Sequence, residues 1–194
     1  KENLLLNDPG ARVVHHVDFD NDGKKDLVVL MTQAKESIVF FKNTGKGEFE
    51  MKNLLNFPPY FGSSYFELKD IDSDKDLDII YTNGDNADLS IVPKPYHGLR
   101  IYLNDGKLNF KENYFYPMNG ASKVCSEDFD SDGDLDLAVI SFFSYSDPSF
   151  LYFKNTGNLK FSSFTINNIS KEKWLTMDAA DIDSDGDKDL VLGS

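Results

Sequence analysis

DFDNDGKKD at 18–26, DIDSDKDLD at 70–78, DFDSDGDLD at 128–136 and DIDSDGDKD at 181–189 are four copies of one acidic nonapeptide, each followed at once by a short apolar run. Aspartate holds positions 1, 3, 5 and 9 in every copy. Alternate carboxylates around a tight turn can wrap oxygen ligands about a hard cation such as Ca²⁺, which takes about six to eight of them. The candidate ligands are Asp18, Asp20, Asp22, Lys24 and Asp26; Asp70, Asp72, Asp74, Asp76 and Asp78; Asp128, Asp130, Asp132, Asp134 and Asp136; and Asp181, Asp183, Asp185, Asp187 and Asp189. Position 7 varies (Lys24, Asp76, Asp134, Asp187) because it can contribute its backbone carbonyl whatever its side chain. About four ions are expected. The copy at 70–78 is expected to bind most weakly, because Lys75 replaces the turn glycine where a positive φ is needed.

These loops are not EF-hands. That twelve-residue loop needs a bidentate Glu at position 12 and a helix on each side, whereas position 12 here is Val29, Tyr81, Val139 or Leu192. The residues after position 9 are β-branched or otherwise apolar and soon end in Thr, Asn, Ser or Gly, the pattern of a buried strand. Each acidic loop therefore joins two strands.

The first aspartates recur after 52, 58 and 53 residues, a period that fits propeller blades or other stacked arrays. Each period reads as four strands. The first (13–17, 65–68, 123–126, 175–179) enters the acidic loop and the second (27–31, 77–81, 135–140, 190–192) leaves it. The third (38–42, 99–103, 150–154) runs into Asn43-Thr44-Gly45, Asn104-Asp105-Gly106 or Asn155-Thr156-Gly157, turns that suit positive φ. The fourth (49–54, 110–115, 161–166) completes a meander. The fold class is all-β, a β-propeller of four-stranded antiparallel blades.

A strand, a DxDxDGxxD loop and an apolar strand at this period resemble the FG-GAP or VCBS repeats of integrin α-subunit propellers and of secreted bacterial proteins. Phe61-Gly62 matches the first half of the FG-GAP name; the second half has only approximate counterparts in Pro9-Gly10-Ala11 and Asn119-Gly120-Ala121. The resemblance spans nearly the whole chain. It implies structural calcium, an extracellular or cell-surface setting, and a ligand face at the loops opposite the calcium loops. A fold this widely shared does not fix an activity.

KENLLLNDPGA at 1–11 aligns with KENYFYPMNGA at 111–121. The expected organisation is therefore strand 4 of a preceding blade at 1–10, blades at 11–60, 61–119 and 120–170, and the first half of a further blade at 171–194. Two architectures are open: a segment of a larger ring, of seven blades by the resemblance, or a compact four-bladed ring closed by the N-terminal strand. The segment is preferred, because the incomplete ring would expose a strand edge.

Nineteen of the 33 acidic residues lie in the four nonapeptides, so the formal charge of −13 is concentrated where cations would sit. Carboxylates held this close repel one another and open the loops unless a cation joins them. An acidic chain without a basic run offers nucleic acid no footprint, and no apolar stretch approaches the length of a membrane span. Cys125 stands alone and excludes a disulfide framework; its expected role is that of a small core residue. Asn168-Ile169-Ser170 is a glycosylation sequon, relevant only in a eukaryotic secretory setting.

The loops opposite the acidic turns carry Tyr60, Phe61, Tyr96, His97, Tyr145 and Trp174, aromatic and imidazole groups that can stack on a sugar or anchor a protein. The expected function is a calcium-stabilised binding or adhesion module that recognises an extracellular protein or carbohydrate, alongside other blades or domains of the same parent chain. The alternative is the propeller scaffold of a secreted polysaccharide-degrading enzyme. No pair of acid and base groups at recognisable spacing supports catalysis, and no catalytic residue is assigned.

Overall fold

The computed structural model describes residues 4–33, 35–85, 92–142 and 148–194. Three four-stranded antiparallel sheets and one two-stranded hairpin follow in chain order. The first sheet holds β1 (Ala11–Val17), β2 (Asp26–Met31), β3 (Ser37–Gly45) and β4 (Glu48–Asn56). The second holds β5 (Ser63–Lys69), β6 (Asp78–Asn83), β7 (Gly98–Asn104) and β8 (Phe110–Pro117). The third holds β9 (Ala121–Glu127), β10 (Asp136–Ser141), β11 (Phe150–Asn155) and β12 (Phe161–Phe164), and the hairpin holds β13 (Thr176–Ala180) and β14 (Asp189–Gly193). Every sheet is a simple meander, each strand paired with its neighbour in sequence. These are propeller blades, successive in the chain and packed face to face.

The period-2 alternation of each second strand explains the stacking, because its side chains serve two interfaces at once. Val28 and Leu30 join Phe66, Ile79 and Tyr81 in the core between the first two blades. From the other face of β6, Ile80 joins Val124, Leu137 and Val139 between the second and third. Ala138 and Ile140 then meet Met177 of the last hairpin. Residues buried on both faces must be apolar throughout, which is why β6 and β10 read as continuous hydrophobic runs. Among the described residues β14 pairs with β13 alone, and its residues are half-buried or exposed.

One expected turn lies elsewhere. In the first blade β3 continues through Gly45 with a bulge at Asn43/Gly45. The chain reverses instead at Lys46-Gly47, with φ of 56° and 78°. Two consecutive positive φ values suit the right-handed twist of a two-residue hairpin. Residues 4–10 carry no strand; Leu6 packs on the cluster formed by Val29, Met31, Val39 and Phe41 on the outer face of the first blade. No helix among the described residues is long and apolar enough to cross a membrane.

Candidate functional site

The four acidic nonapeptides form the β1–β2, β5–β6, β9–β10 and β13–β14 connections, and in a meander these share one end of the blades. Their geometry repeats. The position 1 carboxylate accepts the N–H of position 6: Gly23 to Asp18 at 2.9 Å, Lys75 to Asp70 at 3.0 Å, Gly133 to Asp128 at 3.0 Å, and Gly186 to Asp181 at 3.2 Å. The position 5 carboxylate accepts the N–H of position 7, as in Lys24 to Asp22 at 3.0 Å and Asp76 to Asp74 at 2.9 Å. Two residues per loop take positive φ. At position 6, Lys75 at 79° adopts the conformation of Gly23 at 86°, Gly133 at 94° and Gly186 at 102°. At position 4 the residues are Asn21, Ser73, Ser131 and Ser184, with φ between 58° and 64°. The sequence signal for that second bend is the run of small polar residues there, which tolerate left-handed backbone better than branched ones.

Position 9 is the hinge between loop and sheet. Asp26 accepts the N–H of Phe19 at 3.1 Å and of Asn43 at 2.7 Å; Asp78 accepts those of Ile71 at 3.1 Å and Asn104 at 2.8 Å. Asp136 accepts from Asn155 at 2.8 Å and from the Tyr152 hydroxyl at 2.6 Å, and Asp189 accepts from Ile182 at 2.9 Å. Three of these four, Asp26, Asp78 and Asp136, are fully buried.

In each loop three carboxylates bring ligand oxygens within 4.8 Å of one another: Asp18, Asp20 and Asp22; Asp70, Asp72 and Asp78; Asp128, Asp130 and Asp136; Asp181, Asp183 and Asp189. Such clusters can hold a metal ion. Asp20 Oδ1 and Asp70 Oδ1 are buried and accept no hydrogen bond among the described residues, which fits a carboxylate oxygen reserved for a cation. The structure thus gathers positions 1 and 3 in all four loops. Position 9 joins them in three, and position 5 only in the first. The side chains of Asp76, Asp134 and Asp187 lie outside these clusters, and that of Lys24, a cation, pairs with Asp22 of the first.

The family model for the FG-GAP-like repeat matches residues 18–81 and 128–192, most of the chain and all four acidic loops. The chain belongs to the FG-GAP-like repeat family. The stretch between the two matches, 82–127, lies within the longest of the three loop-to-loop spacings, the 58 residues from Asp70 to Asp128. No curated protein matches this FG-GAP-like chain. Among solved structures it is similar to an Agrocybe aegerita lectin, described as specifically recognising non-reducing terminal N-acetylglucosamine. The TM-score is 0.57 at 16% identity, over 92% of this chain and 45% of the lectin's. The likeness is one of fold, and the chain spans less than half the length of that lectin.

The four FG-GAP-like loops differ in charge compensation. The Lys42 ammonium bonds Asp20 and lies 3.0 Å from Asp22 Oδ2, and Lys24 reaches Asp22 at 3.2 Å. Lys42 first and Lys24 next hold the Asp22 carboxyl at about 2. Lys154 bonds Asp130 and keeps it below the ordinary carboxylate range. Among the described residues no ammonium pairs with a carboxylate of the 70–78 loop, and burial pushes Asp78 up to about 6 against the two backbone N–H groups that favour its charge. Asp72 is also raised, by desolvation and then by the charge of Asp74.

Position 2 is a functional position that sequence reasoning passed over. Phe19 and Ile71 turn away from the carboxylates into the interblade cores, Phe19 stacking 6.2 Å from Phe110 of the second blade. The first two loops are thereby anchored to the next blade. Ile182, at the same position of the fourth loop, is 60% exposed.

The opposite end gathers some of the expected ligand residues. Tyr60 is exposed, and its ring lies 5.0 Å from Tyr96 and 5.5 Å from Phe61 in edge-to-face contacts. The side-chain amide of Asn83 donates to the carbonyls of Phe61 and Tyr96 at 2.9 Å, tying both loops to β6. Gly62 takes φ 65°, and a Cβ there would collide with the Asp85 carbonyl, which accounts for the Phe-Gly pair. The Phe61 and Phe115 rings enclose the buried Arg100 guanidinium at 4.5 and 4.0 Å, so Phe61 serves packing as well as the surface. His97 is buried and cannot meet a ligand directly. Trp174 is half-buried against the last hairpin and donates to the Ile169 carbonyl at 2.8 Å, a packing role. Tyr145 lies outside the described residues. Burial pushes the Cys125 thiol up to about 11, which leaves it an inert core residue.

Proposed function

We propose that this chain is a calcium-stabilised, extracellular binding module, a segment of a larger propeller, that recognises a protein or glycan through the loop face opposite its acidic turns. The observation that carries the reading is the fourfold convergence of three carboxylates at one end of the blades. Asp18, Asp20 and Asp22 in the first loop, and positions 1, 3 and 9 in the others, would hold the ions. Calcium suits them better than magnesium, because a crowded carboxylate set with backbone carbonyls nearby favours a large, adaptable oxygen shell. A bound ion supplies the positive charge that lets these carboxylates remain together, and the aspartates hold the loops in shape through their own N–H acceptor bonds.

Recognition is assigned to the other end, where the exposed Tyr60 ring packs edge-to-face on the half-buried Tyr96, whose backbone is tied to β6 by Asn83. Rings held in place by neighbouring rings lose little conformational freedom on binding. The lectin of similar fold lends support to a glycan as the ligand class, without specifying the sugar. A glycan array and a protein pull-down, run with wild type and Tyr60→Ala in calcium, test the assignment. A ligand retained by wild type and lost by the variant supports it. A ligand lost instead on a single loop Asp→Ala change in a folded protein would place recognition at the acidic end.

A further inference from the structure

Three blades connect their third strand to the acidic loop by one frame. The position 9 carboxylate accepts the backbone N–H of an asparagine: Asp26 from Asn43 at 2.7 Å, Asp78 from Asn104 at 2.8 Å, and Asp136 from Asn155 at 2.8 Å. The asparagine side chain donates back to the carbonyl before that aspartate, at Lys25, Leu77 and Leu135, at 3.0, 3.3 and 3.3 Å. The residue preceding this asparagine is therefore held at one fixed place beside the loop. It is Lys42 in the first blade, Leu103 in the second and Lys154 in the third.

The consequences of that difference are visible in the side chains. Lys42 bonds Asp20 and sits 3.0 Å from Asp22 Oδ2; Lys154 bonds Asp130 and sits 3.7 Å from Asp132 Oδ2. Leu103 packs instead on the core between the second and third blades. Among the described residues no ion pair reaches a carboxylate of the 70–78 loop, whereas those of the first and third blades share theirs with an ammonium.

We propose that Lys42 and Lys154 are tethered counter-ions that keep the first and third loops closed without a divalent ion and must release their carboxylates before one binds. The second loop, with Leu103 in the lysine's place, then depends on the ion for closure and takes it most readily of the three. The ordering of affinities rests on the calcium reading; the counter-ion role does not. Lys75 does not reverse this order. Its φ of 79° is that of the glycines at the same position, so its strain is present with and without an ion and cancels from the affinity.

The test compares the 194-residue chain with Lys42→Met/Lys154→Met, which keeps most of each apolar stem and removes the charge, and with Leu103→Lys. Lys42→Arg/Lys154→Arg, which keeps the charge, is the control and should resemble wild type. In buffer stripped of divalent ions, the Met variant should melt about 2–4 °C lower; Leu103→Lys also gives up core packing, so it is read only in the calcium titration. In calorimetric calcium titrations the Met variant should gain several-fold in affinity at two sites, while Leu103→Lys loses it at one. Unchanged ion-free melting of the Met variant would overturn the counter-ion role. Weaker calcium binding in that variant would show the lysines supporting the ion and overturn the competition. If no variant binds calcium, the calcium reading and the affinity ordering fail, while the ion-free melting comparison still decides the counter-ion role.

Discussion

The Asp78 carboxylate accepts the backbone N–H of Asn104 at 2.8 Å, joining the end of one acidic loop to the end of the neighbouring strand β7. Its other oxygen takes the N–H of Ile71 at 3.1 Å. Asp78→Ala leaves both buried donors unpaired and should lower stability in ion-free buffer by about 2–4 kcal/mol in urea unfolding. Asp78→Asn, which keeps one acceptor, should lose less, and Asp72→Ala should change little without an ion. Equal losses at 72 and 78 would mean that the hinge bonds carry no stability.

Acidification should stabilise the ion-free chain before it harms it. Burial raises Asp78 to about 6 and also raises Asp136, so the folded state binds protons at these groups before the unfolded chain does. Their contribution is fully present below the ordinary carboxylate value and is lost as pH rises through the folded value. Asp22, held at about 2, runs the other way: its contribution is present above the ordinary value and lost as pH falls toward 2. Between about pH 6 and 4 the first effect acts alone, and the ion-free melting temperature should rise on acidification. With saturating calcium the slope should reverse, because protons compete with the ion for the same oxygens. A melting temperature that falls from pH 7 to 5 in ion-free buffer would contradict this.

Lys75→Gly removes a side chain from left-handed backbone while keeping the N–H that Asp70 accepts. Relief of that strain exceeds the added freedom of the unfolded glycine, and the variant should gain about 0.5–1 kcal/mol, roughly 1–4 °C in melting temperature. A loss of stability would show that the lysine stem makes contacts worth more than the strain.

Tyr60 and Trp174 should separate recognition from packing. Tyr60→Ala removes an exposed ring and should weaken ligand retention with the melting curve nearly unchanged. Trp174→Ala removes a hydrogen bond and a packed ring, and should cost about 1–3 kcal/mol of stability irrespective of ligand. Loss of stability in both variants would make the aromatic cluster a structural wedge.

The strands were legible because β2, β6 and β10 are buried on both faces and each acidic loop marks where the second strand starts; Asp26, Asp78, Asp136 and Asp189 open β2, β6, β10 and β14. The carboxylate clusters were legible from the odd-position aspartates alone. What the sequence did not reveal were relationships between distant residues. Lys42 meets Asp20 through a register that only the folded hairpin sets, and nothing local distinguishes it from Lys52 on the next strand. His97 reads as a loop residue in an insertion, yet its neighbours at the start of β7 carry it inside. The Lys46-Gly47 turn was missed because Asn43-Thr44-Gly45 carries the same composition, and the bulge that absorbs it is decided by pairing with β4.

The most direct measurement is thermal melting of the chain stripped of divalent ions and then titrated with calcium, with elemental analysis of the protein as purified. The expected result is a clear fall in melting temperature on stripping, restoration that grows with calcium concentration, and calcium carried through purification. An unchanged melting temperature in excess chelator, with no metal found in the purified protein, would contradict the reading of the four acidic loops as calcium sites.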